Sequence, residues 1–442
     1  MSGVMEKQNN YLADFERFER KLGGAAESRI HRVRKDAIQR FADLGFPTTR
    51  LEEWKYTNVA PMARTPFQFA GLLHGYAVHC ENPFAGLNCS EMRFLNGRHM
   101  PGLSANAAEN GLRTYSLEKV LADPGSREHE QITQHLARYA DYSDHAFPAL
   151  NTAFLDDGAI VIIPDGYVAE RPVCLLFFSR GGDQPVVYHP RVLVLAGRDS
   201  QASIVEAYLG PDGSAYFTNA VTEIVAGENA VIDHYKLQQE GDRAFHIATI
   251  QVRQDRSSNF HSHSISLGGA LVRNDINVVL DGDGAECTLD GLYVEAGNQH
   301  VDNHTLIDHA KPHGSSREVY KGILDGKATG VFNGSVVVRK DAQKTDARQT
   351  NKNLLLSESA EINTKPQLEI NADDVKCSHG ATIGQMDQEA IFYLRSRGIP
   401  YEEARNLLIY AFSNEILGRV KDPALRACLE NEVFKSLAVR LQ

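Results

Sequence analysis

The sequence predicts a mainly β protein, with a right-handed parallel β-helix core flanked by N-terminal and C-terminal α-helical domains. Three observations predict it. Apolar residues recur at helical spacing through much of the first 150 residues. From Gly158 the period changes to short runs of Val, Ile, Leu and Tyr punctuated by Gly, Asp, Asn and Ser, with no crossover helix between them. After Gly384 the helical period returns. A chain of 442 residues exceeds one ordinary compact core, and the changes of period divide it into 1–156, 157–384 and 385–442.

In the first part Leu12, Phe15, Phe18 and Leu22, then Ile30, Val33, Ala37, Ile38 and Phe41, mark a helical pair broken at Gly23-Gly24 and stopped by Gly45-Phe46-Pro47. Further helical patterns lie at Ser116 to Ala122 and Glu128 to Tyr139. Trp54, the only tryptophan, reads as an aromatic anchor fastening this cap to the core.

The middle part contains Ala159 to Ile163 before Pro164-Asp165-Gly166, Val192 to Ala196 before Gly197, Ile276 to Leu280 before Asp281-Gly282, and Gly334 to Val338. So many short strands exceed what a sandwich or barrel needs, whereas a solenoid adds turns without limit. In the last part Asp387 is placed to cap a helix reaching Arg397. A second helix spans Tyr401 to Val420, and Asp422-Pro423 opens a third. The second carries more apolar residues than one packed face uses. Leu408, Phe412 and Ile416, where exposed, are therefore candidate partner contacts.

Composition narrows the function. A net charge of -11 disfavours nucleic acid and anionic membranes. The charged first 21 residues lack the apolar stretch of a secretory signal, and no segment approaches a membrane span, so a cytoplasmic protein is expected. Six cysteines (Cys80, Cys89, Cys174, Cys287, Cys377, Cys428) form no C-x-x-C pair and no disulfide framework. A phosphate loop, a G-x-S-x-G elbow and an H-E-x-x-H motif are all missing from the sequence, so no enzyme activity is expected.

Two groups of residues could bind metal. His261 and His263 alternate, as strand residues sharing one ion would, and His300, His304, His309 and His313 follow; polar ladders on a solenoid surface give the same pattern. The sharper group is Cys377 and His379. In a final strand from Val375 to His379 they leave the same face, and thiolate with imidazole suits an iron–sulfur cluster or zinc. Two ligands are half of a four-coordinate site, so the others must come from elsewhere, most simply from a second subunit.

Four further stretches carry a resemblance: Arg50-Leu-Glu-Glu-Trp-Lys-Tyr-Thr57, Arg339 to Asn353, Ser357 to Ile370, and Lys376-Cys-Ser-His-Gly-Ala-Thr-Ile-Gly384 with Tyr393 to Gly398. Together they resemble the SufB/SufD family of iron–sulfur cluster assembly scaffolds, on its SufD side. The resemblance implies a parallel β-helix with helical flanks, a heterodimer with a SufB-like subunit, a homodimer as an alternative, and docking of a SufC-like ATPase on the C-terminal helices. It places His379 at the SufB contact with Cys377 beside it. No cofactor is then permanently bound, and a transient iron–sulfur cluster is shared across the contact. The competing readings are a β-helix carbohydrate-active enzyme, which would need a groove of clustered carboxylates, and a metal store built on the histidines.

Overall fold

Two sheets of parallel strands form the middle of the molecule in a computed structural model, which describes residues 2–22, 28–70, 81–104, 111–181 and 184–440. Cys80 lies outside these residues. Among the described residues one sheet has eleven strands and the other ten. Successive strands alternate between them: Leu271–Leu280 belongs to the first sheet, Glu286–Glu295 to the second and His300–His309 to the first again. The result is the expected β-solenoid. In mid-stack one turn takes 29 residues, so Asn274 stands beside Asn303 and donates to it at 3.0 Å.

Alternation of side chains builds the core. Along Thr329–Val338, Phe332, Val336 and Val338 pack inside the solenoid while Asn333, Ser335 and Val337 face out. Neighbouring turns also interlock. Tyr320 lies against Gly291 and Tyr293 against Gly322, where an added Cβ would come within 2.2 Å of a ring carbon, so both glycines are spaces for a tyrosine.

One corner recurs in every turn. Asp199, Asn229, Ser257, Gly284, His313 and Lys344 all take positive φ between 53° and 68°. Their amides donate to a carbonyl one turn on, from Asp199 to Glu228 at 2.8 Å through to Lys344 to Asp374 at 2.7 Å. The backbone ladder therefore continues around the bend, and its hydrogen bonds offset a conformation unfavourable to non-glycine residues. His313, one of the candidate ligands, is exposed at this corner.

The helices cover opposite outer faces. Ser2–Leu22 and Arg29–Leu44 form the predicted pair, with Ser28 accepting from the His31 amide as N-cap. Their Phe15, Phe18 and Phe41 pack with Val187, Phe217, Ile247 and Leu271 of the eleven-stranded sheet. Trp54 acts as the expected anchor: it is buried, its ring centroid is 5.3 Å from that of Phe147, and the Arg273 guanidinium lies 3.8 Å above it. Tyr401–Leu417 and Pro423–Arg440 lie across the ten-stranded sheet, burying Ile409, Leu417, Leu425 and Leu429 against Val205, Leu237, Ile265 and Leu292.

The structure differs from expectation in several places, and the helix expected over Glu128 to Tyr139 ends at His135. The N-terminal part is not only a helical cap, since Ser90–Leu95 pairs in parallel with Val173–Phe178 and Arg113–Ser116 antiparallel with Gly158–Ile163. The final strand does not end at His379 but runs Lys376–Gln385, because Gly380 and Gly384 keep their pairing with Thr350 and Leu354. The second C-terminal helix stops at Leu417, short of Val420. No helix among the described residues is long and apolar enough to cross a membrane.

Candidate functional site

Among the described residues the solenoid ends without a covering turn. Glu361–Ile370 pairs with Thr329–Val338 and Lys376–Gln385 with Asp346–Leu355, and each is the last strand of its sheet among the described residues. Register places the side chains. Cys377 stands beside Ala347 of the inner core, and His379 beside Gln349, itself buried. Cys377, His379, Ala381 and Ile383 thus share the inward face of the last turn, opposite Ile362 and Leu368.

Because no further turn follows, this inward face is open. Cys377 is half-buried against the core and His379 is exposed, as are Ile370 and Ile383, at 42% and 52%. The adjoining helix Gln388–Ser396, capped by Asp387 as expected, presents Phe392 and Tyr393 at 75% and 58%. Two ten-residue edges therefore carry unpaired backbone groups beside apolar side chains, an arrangement that templates another strand. The signal for Ile383 was its alternation with Cys377 and His379, hidden by ending the strand too early.

Behind the mouth the inner face is polar. Gln349 donates from Nε2 to Glu318 Oε2 at 2.8 Å, and burial pushes the Glu318 carboxyl up to about 7. Burial also pushes the Cys377 thiol up, so binding a metal there would release its proton. A thiol and an imidazole on one face are donor types that suit an iron–sulfur cluster or zinc.

The other histidines separate. His300 and His304 lie on the outer face of the eleven-stranded sheet, where the Thr57 hydroxyl stands 2.9 Å from His300 Nε2 and His304 is 3.0 Å from Asp302. His309 is buried inside, 2.9 Å from the Ser316 hydroxyl. His261 and His263 remain together, on the outer face of the ten-stranded sheet.

The three candidate partner contacts also divide. Ile416 is corrected: it is fully buried, because the helix turns it onto the sheet. Leu408 is half-buried. Phe412 is half-buried beneath Lys321, whose Nζ lies 4.1 Å above the ring. Leu407, Tyr401 and Phe434, at 48%, 44% and 43%, are the more exposed large apolar residues on these helices.

Comparison with known proteins decides the family. A family profile described as SUF system FeS cluster assembly, SufBD core domain, matches residues 177–412, and one described as the SufBD protein N-terminal region matches 5–175. The chain belongs to the SufBD family. An iron–sulfur cluster assembly SufBD family protein of Synechocystis is 35% identical over 418 residues, 92% of this chain and 91% of that one. SufD of Escherichia coli is 31% identical over 88% of this chain and 89% of its own, and SufD of Bacillus subtilis is 28% identical over 67% and 70%. The core match of this SufBD protein includes the whole last turn, with Cys377 and His379, and ends at Phe412.

Proposed function

We propose that this SufBD chain is a non-catalytic scaffold subunit in iron–sulfur cluster assembly. It joins a SufB-like subunit through the open end of the solenoid and holds a nascent cluster at that junction as cargo. One observation carries the reading: Cys377 and His379 lie on the inward face of a turn that has no successor among the described residues. A partner strand pairing with the free edge would bring its own donors opposite these two, completing a coordination that neither chain closes alone.

A SufC-like ATPase docks, in this reading, on the helices Tyr401–Leu417 and Pro423–Arg440 around Leu407 and Leu408. Phe412 acts as the linkage beneath. Lys321 lies over its ring, donates to its carbonyl at 2.9 Å and is ion-paired with Glu415. A force on the helix thereby reaches Ser315–Leu324, two strands from Lys376–Gln385 in the same sheet.

The test compares the purified chain alone with the chain mixed with SufB-like and SufC-like subunits. The chain alone is expected to retain no acid-labile sulfide and to hydrolyse no ATP, whereas the mixture builds a cluster. Leu408→Glu is expected to remove the ATPase from the complex and leave the SufB-like subunit in place. A full cluster or ATP turnover in the isolated chain contradicts the reading.

A further inference from the structure

The outer face of the ten-stranded sheet gathers a second set of donors, away from the open end. His261 and His263 leave the same face of Asn259–Ser266, and Asp290 stands beside His263 on the next turn. One ligand atom from each lies within 4.8 Å of the other two. Asp290 Oδ2 is 2.9 Å from His261 Nε2 and 4.0 Å from His263 Nδ1. Donors held about 2.0–2.1 Å from a tetrahedral ion sit roughly 3.3 Å apart. The two spacings bracket that value, so small side-chain shifts would close the site.

A second observation points the same way. His263 is 1% exposed, yet neither of its ring nitrogens has a hydrogen-bond partner. Buried imidazoles in proteins normally find one. Its plane is fixed by stacking on Tyr235, with ring centroids 5.2 Å apart and 4° between planes. Asp233 Oδ1 lies 3.7 Å from His261 Nδ1, the place of the carboxylate that orients a metal-bound histidine from its far nitrogen. Arg419 takes Asp290 Oδ1 at 2.6 Å, which leaves Oδ2 facing the histidines, and Lys421 holds Asp233 at 2.6 Å. His261 keeps 16% of its side chain exposed, which gives an ion a way in.

We propose that His261, His263 and Asp290 bind one divalent first-row transition-metal ion, with water completing the shell. Two imidazoles and one carboxylate suit Zn(II) and Fe(II). This site lies four strands from Lys376–Gln385 in the same sheet, on the outward rather than the inward face, and is independent of the scaffold reading. It borders the connection between the helices Tyr401–Leu417 and Pro423–Arg440 through Arg419 and Lys421, so occupancy would be felt where those helices rest on the solenoid.

The test uses the full chain stripped with chelator, Co(II) as a spectroscopic probe and Zn(II) as its competitor. One equivalent is expected to bind with a nitrogen and oxygen shell by X-ray absorption. Binding should persist in the Cys377→Ala/His379→Ala double variant and weaken by about tenfold or more in His261→Gln. His261 is partly exposed, so that variant is expected to keep the wild-type circular dichroism; Asp290→Asn is the second test. Sulfur in the shell, affinity unchanged in both variants, or no cobalt spectrum and a melting temperature unmoved by Zn(II) would overturn the site and leave a polar contact beneath the helices.

Discussion

Glu223→Ala is expected to cost the folded chain about 3–5 kcal/mol, the range for removing one partner of a buried ion pair. Glu223 and Arg191 are both fully buried and 2.6 Å apart. The carboxylate also accepts the backbone amides of Ala137, Arg138, Tyr139 and Ala140, at 2.7 to 3.0 Å. Arg191 in turn donates to Asn151 and Thr152. With Arg191 on the second turn and Glu223 on the third, this pair ties the loop after helix Arg127–His135, and the helix Ala146–Ala153, to the solenoid. Truncation strands a guanidinium and four amides away from water. Denaturant unfolding measures the cost. Arg191→Leu added to Glu223→Ala should restore part of the loss, because the stranded charge is gone; a single-variant loss below about 1 kcal/mol would contradict this account of the cap.

Ile370→Asp with Ile383→Asp is expected to abolish association with the SufB-like subunit while the chain stays folded. Both side chains are largely exposed in the free protein, so the substitutions disturb little of the existing core. In the proposed complex each would be enclosed at a strand edge, where an unpaired carboxylate is costly to bury. Co-elution on size exclusion reads the association, and circular dichroism the fold. A double variant that still co-elutes would place the contact elsewhere on the molecule.

Much of this fold is legible in the sequence because local signals carry it. Gly45-Phe46-Pro47 ends the second helix, the expected break at Gly23-Gly24 lying outside the described residues, and Asp387 caps Gln388–Ser396 with its carboxylate accepting from the Glu389 and Ala390 amides. The solenoid's register is not local. Its recurring corner is occupied by Asp199, Asn229, Ser257, Gly284, His313 and Lys344, which share a conformation and a hydrogen bond but no residue type. Turn length also varies, since Thr329 pairs with Glu361 rather than a residue 29 further on. Ser90–Leu95 could not be placed beside Val173–Phe178 from periodicity, because the pairing spans some eighty residues.

The same division holds for the site. That Cys377 and His379 share one face is legible because alternation in a strand needs only two positions. Ile416 misled because the helix Tyr401–Leu417 is apolar on several sides, and only the sheet beneath selects Ala404, Ile409, Ser413, Ile416 and Leu417 for burial. The metal-binding trio needed Asp290 from the next turn, a neighbour fixed by register and invisible to the His261/His263 spacing.

The open end of the solenoid is proposed to present half of a cluster site, which the cluster content of the assembled complex reads directly. Iron and acid-labile sulfide are determined in the co-purified complex containing His379→Ala, with its size checked against wild type. Removing one exposed imidazole leaves the strand edges and their apolar neighbours intact, so the complex should keep its size. Its cluster content should fall sharply, and Cys377→Ala should have the smaller effect, because partner thiolates could take the place of Cys377. A complex of normal size carrying a full complement of iron and sulfide in the His379→Ala variant would contradict the claim.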